Sequence, residues 1–127
     1  MPGQKKKFIL IIEDEQTLAR SLTDKLTRSG YRVESEIEGV RGLRKVVETK
    51  PDLVILDIIL PGLNGLKVLK SLKSKSCTKD IPVILVSNVD DKESQDEGMK
   101  LGAANYLIKT NVSLAKIIQE IERHIIK

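Results

Sequence analysis

The chain has 127 residues, 40% of them hydrophobic but only 2% aromatic, so one domain of common size must close around Leu, Ile and Val. No apolar run approaches the roughly 20 residues a membrane helix needs, and the opening KKKFILIIEDE reaches acids too soon for a secretory signal. The net charge of +4 is evenly spread, with 11 basic and 10 acidic residues in 1–64 against 11 and 8 in 65–127; no Lys/Arg stripe alternates with aromatics, so nucleic-acid binding is not expected.

MPGQKKK, residues 1–7, is expected to be a flexible basic leader before a single domain over 8–127. Five strand–helix pairs follow. FILII (8–12) is continuously apolar, as in a strand covered on both faces. Leu18, Leu22 and Leu26 recur every four residues and predict a helix that Gly30 stops. YRVES (31–35) reads as the second strand. Val40, Leu43, Val46 and Val47 line a second helix, ended before Pro51. DLVIL (52–56) is the third strand, and Leu66, Leu69 and Leu72, with Val68 close by, mark the third helix. PVILVS (82–87) is the fourth strand.

The next segment, DDKESQDEGMKLG (90–102), has few apolar anchors beyond Met99 and Leu101. Its Gly98 costs about 1 kcal/mol relative to Ala within a helix, so this fourth helix is expected to be poorly tied to the core. ANYLI (104–108) is the fifth strand. Leu114, Ile117, Ile118, Ile121 and Ile125 mark a final amphipathic helix, with Asn111 or Ser113 as its N-cap. Such alternation implies an α/β fold: a parallel sheet with right-handed crossovers and helices on both faces. In open sheets of this kind chemistry gathers beyond the carboxyl ends of the strands.

Those strand ends are chemically distinctive. Glu13, Asp14 and Glu15 follow the first, Asp57 the third, Ser87 and Asn88 the fourth, and Lys109 the fifth. Asp57 interrupts the apolar stretch LVILDIIL, where an unpaired charge would be costly. With strands one and three adjacent, Glu13, Asp14 and Asp57 converge. Carboxylates packed together call for a hard, oxygen-seeking cation such as Mg²⁺; without one, a carboxyl takes up a proton. A carboxylate can attack phosphorus, and phosphoryl transfer mainly needs positioning and charge neutralisation. Lys109 would supply the latter and Ser87 a hydroxyl donor. The sequence contains neither GxxxxGK[ST] nor GxGxxG, so a phosphate would arrive on a carrier.

These residues resemble a response-regulator receiver domain (CheY-like) of two-component signalling. The resemblance rests on Ile12-Glu13-Asp14-Glu15, Asp57-Ile58-Ile59-Leu60-Pro61-Gly62-Leu63-Asn64-Gly65, Val86-Ser87-Asn88 and Asn105-Tyr106-Leu107-Ile108-Lys109. It implies a flavodoxin-like doubly wound five-stranded parallel sheet in the order 2-1-3-4-5 with five helices. It further implies Asp57 as phosphoacceptor, and Glu13, Asp14, Asp57 and the Ile59 backbone carbonyl as ligands of Mg²⁺ or Mn²⁺. Lys109 would pair with the phosphoryl group, and Ser87 and Tyr106 would form the switch. The donor would be a phosphohistidine on a sensor histidine kinase or phosphotransfer protein. The changing partner face would lie on the fourth helix, fifth strand and fifth helix. Output is expected to pass to a downstream protein, unless the chain is a piece of a longer one.

The chain departs from the family pattern in several places. Its acid pair is Glu-Asp rather than Asp-Asp, which puts Glu13 one methylene further out. Thr110 replaces the usual proline after the lysine; a cis bond there would cost about 3 kcal/mol, so a trans Lys109–Thr110 peptide is expected. Asn88 stands where a small residue is common, and Ile59 and Val89 offer no polar group to orient water. A slowly hydrolysing phosphoryl group is therefore expected. Two alternatives stay open: an aspartyl-nucleophile phosphatase, against which Ile59 stands where an acid is wanted, and a phosphorylation-independent interaction module. Cys77, unable to form an internal disulfide, suits a reducing, cytoplasmic setting. Cys77 and His124 are expected to lie outside the chemistry.

Overall fold

A computed structural model describes residues 6–125; most of the expected leader, residues 1–5, lies outside them. The strands are β1 (Phe8–Ile12), β2 (Arg32–Glu36), β3 (Leu53–Leu56), β4 (Val83–Ser87) and β5 (Asn105–Ile108). The helices are α1 (Gln16–Arg28), α2 (Gly39–Thr49), α3 (Gly65–Ser74), α4 (Lys92–Lys100) and α5 (Leu114–His124). All five strands run parallel in the order β2-β1-β3-β4-β5. The fold is the doubly wound α/β sheet that the strand–helix alternation predicts.

The continuously apolar strands have a simple physical cause. Successive side chains point to opposite faces, and here both faces are covered. Leu10, Ile12, Val54, Leu56, Val83 and Leu85 pack with Val46 of α2 and Val68, Leu69 and Leu72 of α3. Their neighbours Ile9, Ile11, Leu53, Ile55, Ile84 and Val86 face the other way, onto Leu22 and Leu26 of α1 and Ile117, Ile118 and Ile121 of α5. β2, an edge strand, is only partly buried, and none of its five residues is fully covered.

β2 begins at Arg32, one residue later than the sequence pattern placed it. The Tyr31 N–H is engaged elsewhere: it donates to Leu26 O, and the Gly30 N–H donates to Thr27 O. With Gly30 at φ +99°, these bonds close the C-terminus of α1 in a Schellman motif. Pairing starts where Arg32 N–H meets Lys7 O at 2.9 Å, so Lys7 of the expected leader already belongs to the ladder.

α2 buries Val46 of its predicted face and packs Leu43 against the core, but Val40 is 49% exposed, and Gly39 and Gly42 are buried as well. A Cβ on Gly42 would lie 2.6 Å from Ile12 Cδ1, and one on Gly39 would strike Leu63 O. The two glycines let α2 approach β1 and the loop after β3 more closely than valines could. Side-chain caps start α3 (Asn64), α4 (Asp91) and α5 (Ser113, rather than Asn111), whereas Glu15 and Glu38 precede α1 and α2 without capping them.

Candidate functional site

Register delivers the site. Ile12 pairs with Leu56, so β1 and β3 end level, and the Asp57 N–H extends the ladder to Ile12 O at 3.0 Å. The chain leaves these strands with Glu13 and Asp57 side by side, 1% and 4% exposed, beside the exposed Asp14. One oxygen from each of the three carboxylates lies within 4.8 Å of the others.

β4 and β5 also end level, with Ser87 opposite Ile108. The next residue, Lys109, extends its ammonium into the acidic cluster. Nζ donates to Glu13 Oε2 at 2.8 Å, to Asp57 Oδ2 at 2.9 Å and to Glu15 Oε1 at 3.3 Å. No cis peptide occurs among the described residues, so Lys109–Thr110 is trans, as expected. A single 3-10 turn over Lys109–Asn111 follows, and the lysine reaches Asp57 without a proline.

The backbone around Asp57 is held tightly. Its Oδ1 accepts the Ile58 N–H at 2.7 Å. Gly65, the first residue of α3, donates to Ile58 O at 2.8 Å. A Cβ there would lie 2.7 Å from Ile58 Cα and run into Asp57 O. Glycine therefore lets α3 press on the loop that carries the carboxylate.

The electrostatics follow from burial. Desolvation raises the Glu13 pKa to about 7; the Lys109 hydrogen bond opposes this and the Asp57 charge adds to it. Burial works against the Lys109 charge too, but its bonds to Glu13 and Asp57 prevail and hold its pKa above the ordinary lysine range. One ammonium thus serves three acids, and burial pushes Glu13 toward its protonated form. An all-oxygen donor set still short of positive charge fits a hard divalent cation.

The family model described as "Response regulator receiver domain" matches residues 9–122. The chain belongs to that family. Response regulator ArlR of Staphylococcus haemolyticus is 40% identical over 101 residues, which make up 80% of this chain and 45% of that protein. The chain thus spans about half the length of the curated relatives it matches. A CheY-like receiver domain protein of Methanospirillum hungatei superposes with a TM-score of 0.87 at 25% identity, covering 94% of this chain and 93% of that one. The BeF3-activated N-terminal receiver domain of Klebsiella pneumoniae RstA gives 0.84 at 25% identity, covering 93% and 97%.

Within this receiver domain, Glu13, Asp14, Asp57 and Lys109 gather at one point, while Ser87 and Tyr106 meet at another residue, Val89. Ser87 is fully buried, and its Oγ accepts the Val89 N–H at 3.2 Å. The Tyr106 hydroxyl donates to Val89 O at 2.5 Å, and burial pushes its pKa up to about 12. Sequence reading singled out Val89 only as apolar; its backbone role carries no residue-type signal. Ile59 is 61% exposed, its side chain turned to solvent at the rim. Glu15 was visible as one of three consecutive acids, but nothing in the sequence links it to Lys109. Cys77 is exposed, and His124 sits 3.5 Å from Glu120 on α5. No helix among the described residues is long and apolar enough to cross a membrane.

Proposed function

We propose that this receiver domain is a phosphoacceptor switch: Asp57 takes a phosphoryl group from a phosphohistidine on a sensor histidine kinase or phosphotransfer protein. The observation that supports this most directly is the Lys109 ammonium, 2.9 Å from the Asp57 carboxylate inside a three-carboxylate cluster. Glu13, Asp14 and Asp57, with the Ile59 backbone carbonyl, would hold Mg²⁺ or Mn²⁺. The ion's contribution when bound is to neutralise the incoming phosphoryl oxygens.

The chain's own residues account for the rest of the transfer. An Asp57 oxygen attacks phosphorus as the P–N bond to the donor imidazole breaks, and the departing ring nitrogen takes its proton from solvent. Asp57 is already fixed by the Ile58 N–H and by Gly65, so little motion precedes attack. Lys109 turns its N–H groups to the phosphoryl oxygens. The Ser87 hydroxyl proton is free to donate while its oxygen keeps the Val89 N–H.

The same contacts give the signal a route outward. A pull on Ser87 acts on Val89, and the Tyr106 hydroxyl hangs on the Val89 carbonyl. α4 begins three residues beyond, at Lys92, and the only residue it buries is Gly98. An element held this weakly is one whose population a modest free energy can shift. The α4–β5–α5 face is therefore the proposed partner surface, for a downstream protein in the cytoplasm.

Mass spectrometry after incubation with acetyl phosphate and Mg²⁺ tests the proposal. A one-phosphate gain in mass on Asp57, absent from Asp57→Asn, is expected. Consumption of acetyl phosphate with no adduct would indicate a phosphatase instead, and no reaction at all would leave an interaction module. Both outcomes overturn the proposal.

A further inference from the structure

Glu15 occupies the N-cap position of α1, yet its carboxylate makes no capping bond, and the first turn of α1 holds no acid. Its side chain goes instead to Lys109, 3.3 Å away, and remains 53% exposed. The other two acceptors of the same ammonium are Glu13 and Asp57, both nearly out of solvent. The three donors of Lys109 thus face two buried acids inside the cation cluster and one half-exposed acid outside it.

This inference rests on the proposed phosphoacceptor function. A divalent cation bound among Glu13, Asp14 and Asp57 repels an ammonium that shares two of the same carboxylates. The ion draws the charge of those carboxylates to itself, which weakens their hold on Lys109. Among the described residues its remaining carboxylate partner is Glu15. We propose that Glu15 is a positioning residue: it takes Lys109 when the cation enters, and releases it to the phosphoryl group on transfer. Partial exposure suits the role. The attraction is screened and weak enough to break, while a buried partner would hold the lysine permanently.

A structural role for Glu15 and a general charge effect on the cation predict different results, and two sets of variants separate them. Glu15→Ser places a good N-cap on α1, so stability should be equal or higher. Its Mg²⁺ affinity, measured by calorimetry on the unphosphorylated protein, should nevertheless weaken about threefold, as expected for loss of one exposed pair. Phosphorylation by acetyl phosphate at limiting Mg²⁺ should slow by a similar factor. Glu15→Gln should do the same in the wild-type background and have no effect on Mg²⁺ affinity in Lys109→Gln protein. Weakening of equal size in both backgrounds would mean that Glu15 acts on the ion by charge alone, and would overturn the proposal. So would Mg²⁺ affinity and rate equal to wild type in both Glu15 variants. A wild-type protein that neither binds Mg²⁺ nor accepts phosphate would instead remove the proposed function itself, and this inference with it.

Discussion

Replacing Glu13 with Gln should stabilise the metal-free protein, and only above mildly acidic pH. In the folded chain the Glu13 pKa stands at about 7 against an ordinary 4.5. That gap of about 2.5 pH units corresponds to about 3 kcal/mol, taken here as an upper limit. A carboxyl whose folded pKa lies above its unfolded one binds its proton more tightly when folded. Its contribution to stability is complete below about pH 4.5 and is lost as pH rises through about 7. The raised Lys109 pKa acts only at far more alkaline pH, outside this window. Gln keeps the shape and an acceptor for Lys109 but never ionises. The variant should therefore match wild type near pH 4.5 and exceed it by up to about 3 kcal/mol near pH 8. For a domain of this size that moves the urea midpoint by about 1–2 M. Chelator-treated urea titrations at both pH values provide the assay. Saturating Mg²⁺ should close the gap, since ligand binding to the native state stabilises wild type by about 2.7 kcal/mol at a hundred times its Kd, and the variant lacks one of the proposed carboxylate ligands. An equal difference at both pH values, or a less stable variant at the higher one, would refute the burial argument for Glu13.

Three further outcomes follow from single side chains. Ile84 is completely buried on β4, between β3 and β5, and Ile84→Ala should cost about 3–4 kcal/mol in urea unfolding; a loss under about 1 kcal/mol would mean that the α1/α5 face is not close-packed there. Gly98→Ala places a Cβ 2.6 Å from Leu85 Cδ1 and 3.2 Å from Tyr106 Cδ2. The ~1 kcal/mol gain in helix propensity should offset much of that clash globally, while α4 amides lose protection in hydrogen exchange; unchanged α4 protection would show that Gly98 is not its contact point. The phosphoryl group on Asp57 should be long-lived, because Ile59 and Val89 present no polar side chain to an attacking water. Ile59→Asn should shorten its lifetime severalfold when decay of purified phosphoprotein is followed, and an unaltered lifetime would exclude that cause.

The residues differ in how much they revealed before folding. FILII, LVIL and VILVS announce buried parallel strands because both faces of each must be apolar, a property written residue by residue. Asp57 was conspicuous for the same reason, as one charge among hydrocarbons. The start of β2 and the seating of α2 are less legible. Whether Tyr31 joins the strand depends on the Schellman bond it gives to Leu26, and how far α2 settles onto β1, leaving Val40 outside, depends on how closely Gly39 and Gly42 allow it to approach. Apolar periodicity cannot show glycine acting as the buried surface.

By itself the sequence determined the alternation of strand and helix, and which polar residues stand at strand ends, because those follow from local periodicity and side-chain chemistry. Tertiary structure alone decided that Lys109 lies within hydrogen-bond reach of Glu13, 96 positions away, and of Asp57, 52 away. It also decided that Ser87 and Tyr106 share Val89, and that Glu15 turns from its own helix to the lysine. Strand register and crossover connections set those distances, and both depend on how the whole sheet packs.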